Sequence, residues 1–368
     1  MTRLDCLLIA DDLTGACDAA VQFAARGQRT RVCLSRPAQP DTARVVAVST
    51  ESRNCSGEEA QARLAASALQ LAQCSPKIVF KKIDSTLRGN VGKEIDAALN
   101  IFGSESALVC PAFPALNRVM EQGRLRVEGR ADFDPVDIVA LLRGHGLDRH
   151  AHIHPGAIER AVSSGARVVS LDALCDRDLD QIAAEALALD RRILWVGSGG
   201  LAAALARTLP VQSAVDRPAL NKGPVLFCIG SDHVATTAQL TALNARRPVL
   251  SAPWEQVSHE NILEALEQRR HVCLRIPRNP MCSERVRELI AGVPATAIVL
   301  SGGDTASLVC RAVGVHDIDL YDEIVPGVPY GVLRGGEFDG TTVATKSGAF
   351  GDADALIQVA DYFLCPTQ

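Results

Sequence analysis

The chain has 368 residues, a length that predicts two or three domains at roughly 150 residues each. Its 38 basic and 43 acidic residues give a net charge of −5, which disfavours nucleic-acid binding because such surfaces need a basic excess. Hydrophobic residues make up 47% of the chain and aromatic residues only 4%, which excludes disorder on the scale of a domain and disfavours aromatic platforms for single-stranded nucleic acid.

Short β-type runs alternate with longer Ala- and Leu-rich runs through the first half of the chain. The predicted strands are 6–10, 31–34, 45–49, 78–83, 107–110, 168–171 and 193–196. The main predicted helices between them are 13–26, 58–73, 93–101 and 178–189. Alternation of this kind produces parallel sheets with helices on both faces.

A segment typical of a linker, 211–223, separates this series from a second one, because it loses periodicity and contains Pro, Asn and Gly. The second series predicts strands at 225–229, 248–251, 272–276 and 297–300, helices at 234–246, 259–269, 283–290 and 305–313, short strands within 320–345 and a closing helix at 352–363. The predicted fold class is therefore α/β. We expect two α/β domains, 1–212 and 222–368, with largely parallel sheets and an active-site cleft between them.

The twelve cysteines lie singly, without a CxxC pair, so neither a zinc site nor a secreted disulfide scaffold is indicated. The N-terminal residues lead directly into a strand, so we expect no signal peptide. The longest uncharged apolar stretch, 193–206, is too short to span a bilayer. These features predict a cytoplasmic protein with reduced thiols and no membrane partner.

The first candidate site is the loop after the first strand, since ligands of open α/β sheets bind at the carboxyl ends of the strands. Asp11 and Asp12 occupy the place where a dinucleotide-binding domain would have GxGxxG. Two adjacent carboxylates repel phosphate but suit sugar hydroxyls, a metal cation or removal of a proton from a hydroxyl. The alternative is that Asp12 or Thr14 only caps the following helix.

A second candidate loop, 81–90, follows the strand that begins at Ile78. It brings Lys81, Lys82 and Arg88 together with hydroxyl side chains. This set suits an anionic, polyhydroxylated ligand, because arginine can make a bidentate contact to a carboxylate. The alternative is an exposed, solvated turn.

Glycine-rich turns precede helices at four later strand ends. The turn at 197–200 is compatible with anion binding and equally with a plain tight turn. In the second half the turns are 230–231, 301–305 and 346–351. Glycine lets the backbone approach a phosphate there, and a helix N-terminus supplies oriented N–H groups. One such turn is uninformative, but three in one domain favour a nucleotide.

The established nucleotide-binding signatures are absent. Residues 92–94 read Gly-Lys-Glu and do not complete a GxxxxGK[ST] loop, and 132–134 read Asp-Phe-Asp without the glycine of the protein-kinase loop. The histidines within 150–154 would share one face of a strand, but Pro155 follows and the sequence places no carboxylate beside them. We therefore predict no metal site.

Taken in order, these loops resemble the four-carbon acid sugar kinase family. The matching segments are IADDLTGA at 9–16, KKIDSTLRGN at 81–90, PAFP at 111–114, GSGGLA at 197–202, GS at 230–231, SGGDTA at 301–306 and KSGAFG at 346–351. They span nearly the whole chain in the family's order, and the first two and last two are the most specific.

The resemblance implies that the N-terminal domain binds a sugar acid and that the C-terminal domain binds ATP. It implies transfer of phosphate to the terminal hydroxyl of threonate, erythronate or 3-oxo-tetronate, with Mg²⁺ neutralising charge on the phosphates. The implied nucleotide contacts are Ser231, Gly302, Gly303, Asp304, Thr305 and Gly348. The implied sugar-acid side consists of Asp11, Asp12, Lys82, Asp84 and Arg88.

For the mechanism, we expect Asp12, or failing that Asp84, to orient and deprotonate the acceptor hydroxyl. Lys82 and Arg88 are expected to hold the carboxylate of the substrate.

The chain departs from the family after Pro114, where the segment that lies near the substrate is shorter than usual. A kinase of a sugar acid other than a C4 acid therefore stays an alternative. A non-catalytic regulator that binds nucleotide and sugar acid is a second one, and a nicotinamide-dependent dehydrogenase is disfavoured by the missing GxGxxG. Whether the chain pairs with a second copy to form a homodimer is left open.

Overall fold

The computed structural model describes residues 4–34, 42–130, 132–212, 217, 219–277 and 279–364. The chain divides into two compact units, Met1–Ser213 and Ala214–Gln368. Each unit is an α/β structure, so the predicted fold class is confirmed. The division lies inside the segment 211–223, which the sequence analysis identified as a linker.

Strands and helices alternate through the first unit. Its strands are β1 (Cys6–Ala10), β2 (Thr30–Cys33), β3 (Val45–Ser49), β4 (Ile78–Lys82), β5 (Ser106–Cys110), β6 (Arg118–Glu121), β7 (Arg124–Val127), β8 (Val136–Asp137), β9 (His150–Ile153), β10 (Val168–Leu171) and β11 (Ile193–Gly197). Its α-helices are α1 (Leu13–Ala24), α2 (Gly57–Ala72), α3 (Val91–Ile101), α4 (Ile138–Gly144), α5 (Ile158–Ser163), α6 (Asp176–Leu187) and α7 (Gly199–Thr208).

Eight strands of the first unit form a parallel sheet in the order β2-β3-β1-β4-β11-β5-β10-β9. Every residue of β1, β3, β5 and β10 is buried, as expected where helices cover both faces of a parallel sheet. This order places the carboxyl ends of β3, β1 and β4 side by side, and the candidate loops begin there.

The sequence analysis did not predict the second, smaller sheet of the first unit. Strands β6, β7 and β8 pair in antiparallel fashion within the segment that follows PAFP. Gln122 and Gly123 form the turn between β6 and β7, both with positive φ. The segment after Pro114 thus forms a hairpin that pairs with a third short strand.

The second unit repeats the alternation and then ends in antiparallel strands. Its strands are β12 (Val225–Ile229), β13 (Val249–Pro253), β14 (His271–Arg275), β15 (Ala297–Ser301), β16 (Asp317–Val325), β17 (Val328–Arg334) and β18 (Thr342–Lys346). Its α-helices are α8 (Val234–Arg246), α9 (His259–Glu267), α10 (Ser283–Ile290), α11 (Gly303–Ala312) and α12 (Ala355–Leu364).

Within this unit the sheet order is β13-β14-β12-β15-β18-β17-β16. The first five strands are parallel, whereas β17 pairs with β18 and β16 in antiparallel fashion. The core combines aliphatic side chains of β12 and β15 with α12, and it includes Phe227 and Phe363. The order makes β12, β15 and β18 neighbours, so the three glycine-rich turns that follow them share one edge.

The predicted helices and strands are present, with differences of a few residues at the ends, and the structure adds α4, β9 and α5, which were not predicted. At 197–200 the predicted turn is shorter than expected, because α7 already begins at Gly199. Among the described residues, no helix is both long enough and apolar enough to cross a bilayer.

Candidate active site

Asp11 and Asp12 follow β1 directly and are both buried. Asp12 is the N-cap of α1, since its Oδ1 accepts a hydrogen bond from the Gly15 amide at 2.7 Å. The capping role considered in the sequence analysis is therefore confirmed. It leaves Oδ2 of Asp12 available for a further contact.

Arg53 provides that contact and lies among three carboxylates. Its Nε and Nη2 donate to the two oxygens of Asp11 at 2.7 and 2.8 Å. Its Nη1 donates to Asp12 Oδ2 and forms an ion pair with Asp84 Oδ1 at 3.6 Å. Only 14% of the side chain is exposed, so the charge is largely removed from water.

The sequence analysis missed Arg53. It lies in the loop after β3, and Asn90 supports this loop by donating to the carbonyls of Ser52 and Cys55 at 3.0 and 2.9 Å. The same rule that singled out the loops after β1 and β4 applies to this loop. What the sequence lacked was the strand order, which makes β3 the neighbour of β1.

Burial and charge act in opposite directions on these carboxyl groups. Burial by itself favours the neutral acid, but Arg53, Lys81 and Lys82 together outweigh it and lower the pKa of Asp11. The pKa of Asp84 lies well below its usual range, because Arg53, Arg88 and the Thr86 hydroxyl all favour its ionised form against burial. Both groups are therefore ionised at neutral pH.

Arg88 does not present an open fork to a ligand. Its Nε and Nη2 donate to the two oxygens of Asp84 at 2.8 and 2.7 Å. The side chain is nevertheless 61% exposed, so Arg88 lies at the solvent side of the cluster while Asp84 is buried. The bidentate contact to a carboxylate that the sequence suggested is thus made to a residue of the same loop.

Lys82 ends β4 with a buried side chain, so the alternative of a fully solvated turn does not describe this loop. Its Nζ donates to the Ile83 carbonyl at 3.0 Å. Gly15 lies over the ammonium: a Cβ at Gly15 would be 3.1 Å from Lys82 Nζ and 2.6 Å from Asp12 Oδ1. A residue without a side chain at this position lets Asp12, Lys82 and Arg53 converge.

A buried ion pair lies beneath these groups. Lys81 Nζ is 3.3 Å from Glu94 Oε2, and Ser52 donates to Glu94 Oε1 at 2.6 Å. Lys81 and Glu94 are almost completely buried. The network connects the base of α3 to the loop after β3 and stabilises the position from which Arg53 extends.

The second candidate region is in the second unit, at the carboxyl ends of β12, β15 and β18. The amide of Gly230 donates to the Ser301 carbonyl at 3.1 Å, and the amide of Gly302 donates to the Lys346 carbonyl at 3.0 Å. Gly302 has φ +99°, which side chains rarely adopt, and it begins α11 without a side-chain cap. A helix start of this kind is suited to an anion.

The predicted nucleotide contacts converge on this helix start. Ser231 and Gly348 are in close contact, since a Cβ at Gly348 would be 1.9 Å from Ser231 Oγ. Asp304 is exposed in the first turn of α11, next to Gly303. Thr305 is buried, and a Cβ at Gly230 would overlap its hydroxyl oxygen at 1.8 Å.

Lys346 holds the last of these turns together. Its buried Nζ donates to the carbonyls of Ser347, Phe350 and Gly348 at 3.0, 3.1 and 3.4 Å. Burial lowers the pKa of this ammonium to about 7. The Lys346 ammonium therefore binds backbone carbonyls of the turn and not solvent.

The histidines of β9 do have a carboxylate beside them, contrary to the sequence analysis. Asp172 Oδ1 is 3.3 Å from His152 Nε2, and its Oδ2 is 3.2 Å from His154 Nδ1. His150 and His152 both bond to the Ser170 hydroxyl, at 2.9 and 2.8 Å. Across the described parts of the chain, no group of three or more His, Cys, Asp or Glu side chains has the geometry to hold a metal ion.

Comparison with known proteins matches each region to a family model. Residues 6–136 and 134–205 match a sugar-binding N-terminal domain, and residues 274–356 match a nucleotide-binding C-terminal domain. The chain is 36% identical to a D-threonate kinase of Bordetella bronchiseptica over 399 aligned positions, with 96% of each chain covered. It is 31% identical to a D-erythronate kinase of Heliobacterium modesticaldum, with 97% of each covered.

The fold is also that of a protein of known crystal structure from Salmonella typhimurium LT2. The TM-score is 0.78 at 24% identity, with 97% of this chain and 99% of that chain covered.

The combined domains and relatives define a class of protein, the sugar-acid kinases. This chain belongs to the four-carbon acid sugar kinase family.

Proposed function

We propose that this protein transfers the γ-phosphoryl group of ATP to the terminal hydroxyl of a four-carbon sugar acid, giving the 4-phosphate. The observation that supports this most directly is the charge arrangement of the first unit. Around Gly15, Arg53 is hydrogen-bonded to Asp11 and Asp12, and the Lys82 ammonium lies beside them, a combination of cations and carboxylates that suits a hydroxylated carboxylate. Threonate, erythronate and 3-oxo-tetronate are the candidate acceptors.

In this proposal Lys82 and Arg53 attract the carboxylate of the acceptor, and Arg88 contributes from the solvent side. Arg53 joins the residues expected from the sequence because its guanidinium is the group nearest to both Asp11 and Asp12. Asp11 is ionised and paired in both oxygens, so we assign it to positioning Arg53. The four-carbon chain then extends from these cations toward Asp12.

Asp12 is a better candidate than Asp84 for accepting the hydroxyl proton. Asp84 is bonded by the Arg88 fork and is in an ion pair with Arg53, and its strongly lowered pKa makes it a weak base. Asp12 Oδ1 accepts from the Gly15 amide, and Asp12 Oδ2 accepts from one guanidinium nitrogen of Arg53 and from the Thr14 hydroxyl at 3.3 Å, so no guanidinium fork holds both of its oxygens. We therefore assign Asp12 as the catalytic candidate and Asp84 to positioning.

For the second substrate, we assign the nucleotide to the glycine-rich turns of the second unit, with Ser231, Gly302, Gly303, Thr305 and Gly348 as contacts. The uncapped start of α11 fits a phosphate group, and the neighbouring turns have no room for a Cβ at Gly230 or Gly348. ATP supplies the phosphoryl group, and Mg²⁺ neutralises charge on it. Mg²⁺ would be held mainly by the phosphates, and Asp304 in the first turn of α11 is the candidate carboxylate beside it.

Asp12→Asn should lower kcat by about 10²- to 10⁴-fold, the range that a positioned general base contributes. Asparagine is as good an N-cap as aspartate, so α1 should stay formed. ADP release with saturating sugar acid measures kcat, and the KM for ATP should stay near that of the wild type. A parallel loss of ATP affinity would contradict the assignment.

Gly348→Ala should raise the KM for ATP by roughly tenfold or more, equivalent to about 1.4 kcal/mol. The added methyl group overlaps Ser231 Oγ and forces the two turns apart. The KM for the sugar acid should be unchanged. Gly144→Ala is the matched control, because open space surrounds that position in α4 and neither KM should change.

The function itself is tested by an ADP-release screen with ATP, Mg²⁺ and a panel of C4 to C6 aldonic and keto acids. Turnover that is fastest with a C4 acid supports the proposed substrate. A phosphomonoester at C4 of the product supports the proposed position of transfer. Turnover confined to longer acids would show that the acceptor is a sugar acid other than a C4 acid. Thermal shifts with both ligands but no ADP release would indicate a non-catalytic binding protein.

The cytoplasmic location and a homodimer remain predictions. Light scattering on the purified chain distinguishes the mass of one copy from that of two. Fractionation of the host cell tests the location.

A further inference from the structure

Asp18 is a buried carboxylate that no step above uses. It lies in α1 after Asp12, it is 2% exposed, and neither of its oxygens has a hydrogen-bond partner among the described residues. A carboxylate removed from water without hydrogen bonds is costly. Unsatisfied groups of this kind in a folded protein need a reason.

The groups that face Asp18 come from four elements. Lys82 at the end of β4 has its Nζ 3.8 Å from Asp18 Oδ2, and Arg118 of β6 attracts it from further away. Asp12, before α1, repels it. At the start of α7, a Cβ at Gly199 would lie 3.2 Å from Asp18 Oδ1.

Lys82 lies near two carboxylates. Asp18 Oδ2 is 3.8 Å from Lys82 Nζ, while Asp12 Oδ1 and Lys82 Nζ both border the position of a Cβ at Gly15, at 2.6 and 3.1 Å. The Lys82 ammonium donates a hydrogen bond to the Ile83 carbonyl at 3.0 Å. Without Asp18, the carboxylates left to attract Lys82 are Asp12 and Asp11, on the side where the proposed substrate binds.

We propose that Asp18 is a positioning residue which holds the Lys82 ammonium back from Asp12 and so keeps it available for the carboxylate of the sugar acid. This inference rests on the proposed function, and it names a residue that determines acceptor affinity without touching the acceptor. It also gives a reason for a glycine at position 199, because a Cβ there would lie too close to the Asp18 carboxylate and to Phe113.

The first arm of the test is kinetic. Asp18→Asn is nearly isosteric and removes the charge, so the sugar-acid KM should rise roughly tenfold, with the KM for ATP unchanged. The fall in kcat should be smaller than in Asp12→Asn, which separates positioning from catalysis. Asp18→Glu restores the charge and should recover part of the lost affinity.

The second arm is a matched control at another buried carboxylate of the same unit. Asp5 is bonded to Arg44 and Lys77 at 2.7 Å each, away from the candidate site, and these partners lower its pKa against burial. Asp5→Asn should therefore destabilise the first unit at pH 7.5 and leave both KM values unchanged.

The two variants should differ in the sign of their effect on stability. Burial raises the pKa of Asp18 to about 6, against the attraction of Lys82 and Arg118. The ionised form is thus disfavoured in the folded state, and this group lowers stability as pH rises from about 4 to 6. Asp18→Asn should be at least as stable as the wild type at pH 7.5, and the difference should vanish near pH 4.

The pH profile provides a readout that packing alone would not change. In the wild type, kcat/KM for the sugar acid should fall as pH drops through about 6, because protonation of Asp18 releases Lys82 toward Asp12. In Asp18→Asn the fall in kcat/KM near pH 6 should be absent, and kcat/KM at neutral pH should be lower than in the wild type.

The outcomes separate this inference from the proposed function. If the wild type releases no ADP with any acid of the panel, the proposed function fails and this inference fails with it. If the wild type is active and Asp18→Asn keeps the wild-type sugar-acid KM, the inference alone is overturned. A rise in sugar-acid KM that Asp5→Asn reproduces would also overturn it, as it would indicate general loosening of the unit.

Discussion

Arg53→Ala is expected to destabilise the first unit by about 3–5 kcal/mol, the cost of removing one partner from a buried ion pair. Arg53 is 14% exposed and neutralises Asp11 and Asp12, with Asp84 at 3.6 Å. Its loss leaves buried carboxylates without their main counter-charge. The variant should also lose turnover of the sugar acid.

The pH dependence of this effect follows from the lowered pKa values of Asp11 and Asp84. A carboxyl group whose pKa is lower in the folded state stabilises the fold above its unfolded pKa, about 4, and that contribution disappears as pH falls through the folded value. The difference between wild type and Arg53→Ala should therefore be largest at neutral pH and decrease below pH of about 4.

Urea unfolding measures this effect separately for the first unit. The chain has two tryptophans, and Trp195 lies in β11 whereas Trp254 lies in the second unit. In a Trp254→Phe background the fluorescence reports on the first unit alone. Arg44→Ala is the control, since Arg44 is 36% exposed beside Asp5 and a pair of this kind contributes about 1 kcal/mol or less. Equal losses in both variants would contradict the central role of Arg53.

Lys346→Met is expected to destabilise the second unit by about 2–3 kcal/mol, because buried carbonyls lose their donor. The lost hydrogen bonds are those to the carbonyls of Ser347, Gly348 and Phe350. Since Gly348 belongs to the proposed nucleotide site, the KM for ATP should rise as well. The sugar-acid KM should not change.

The contribution of Lys346 to stability depends on pH for a different reason from that of a paired carboxylate, because burial disfavours the charged form of the lysine. Burial lowers the pKa of Lys346 to about 7, so the unfolded chain binds one more proton than the folded chain between pH 7 and about 10.5. The free energy of unfolding of the wild type should therefore increase with pH over that window, and this increase should be absent in Lys346→Met.

Trp254 fluorescence in a Trp195→Phe background follows the unfolding of the second unit. Arg246→Ala serves as control, because Arg246 pairs with Asp354 on the surface, where both side chains are 47% exposed. Its removal should cost about 1 kcal/mol or less. An unfolding curve of Lys346→Met that matches this control would show that the lysine does not hold the turn.

Much of the fold could be predicted from the sequence because its signals are local. The alternation of strand and helix, the N-cap at Asp12 and the glycine-rich turns at 230–231, 301–305 and 346–351 are patterns within a few residues. The hairpin at β6 and β7 was not predicted, since each strand has only four residues and the alternation in β7 is too short to identify a strand. Its register depends on tertiary context.

For the candidate site, the sequence determined which residue types follow which strands: paired carboxylates after β1, cations after β4, and glycines after β12, β15 and β18. The Arg88 fork on Asp84 spans only four residues, but the sequence did not show that Asp84 is buried. Only the tertiary structure placed Arg53 among the carboxylates and buried Asp18 beside Lys82. The physical reason is that these ion-pair partners are decided by strand order and by distances between segments that are remote in the chain. Residue patterns along the chain report backbone conformation and do not contain those distances.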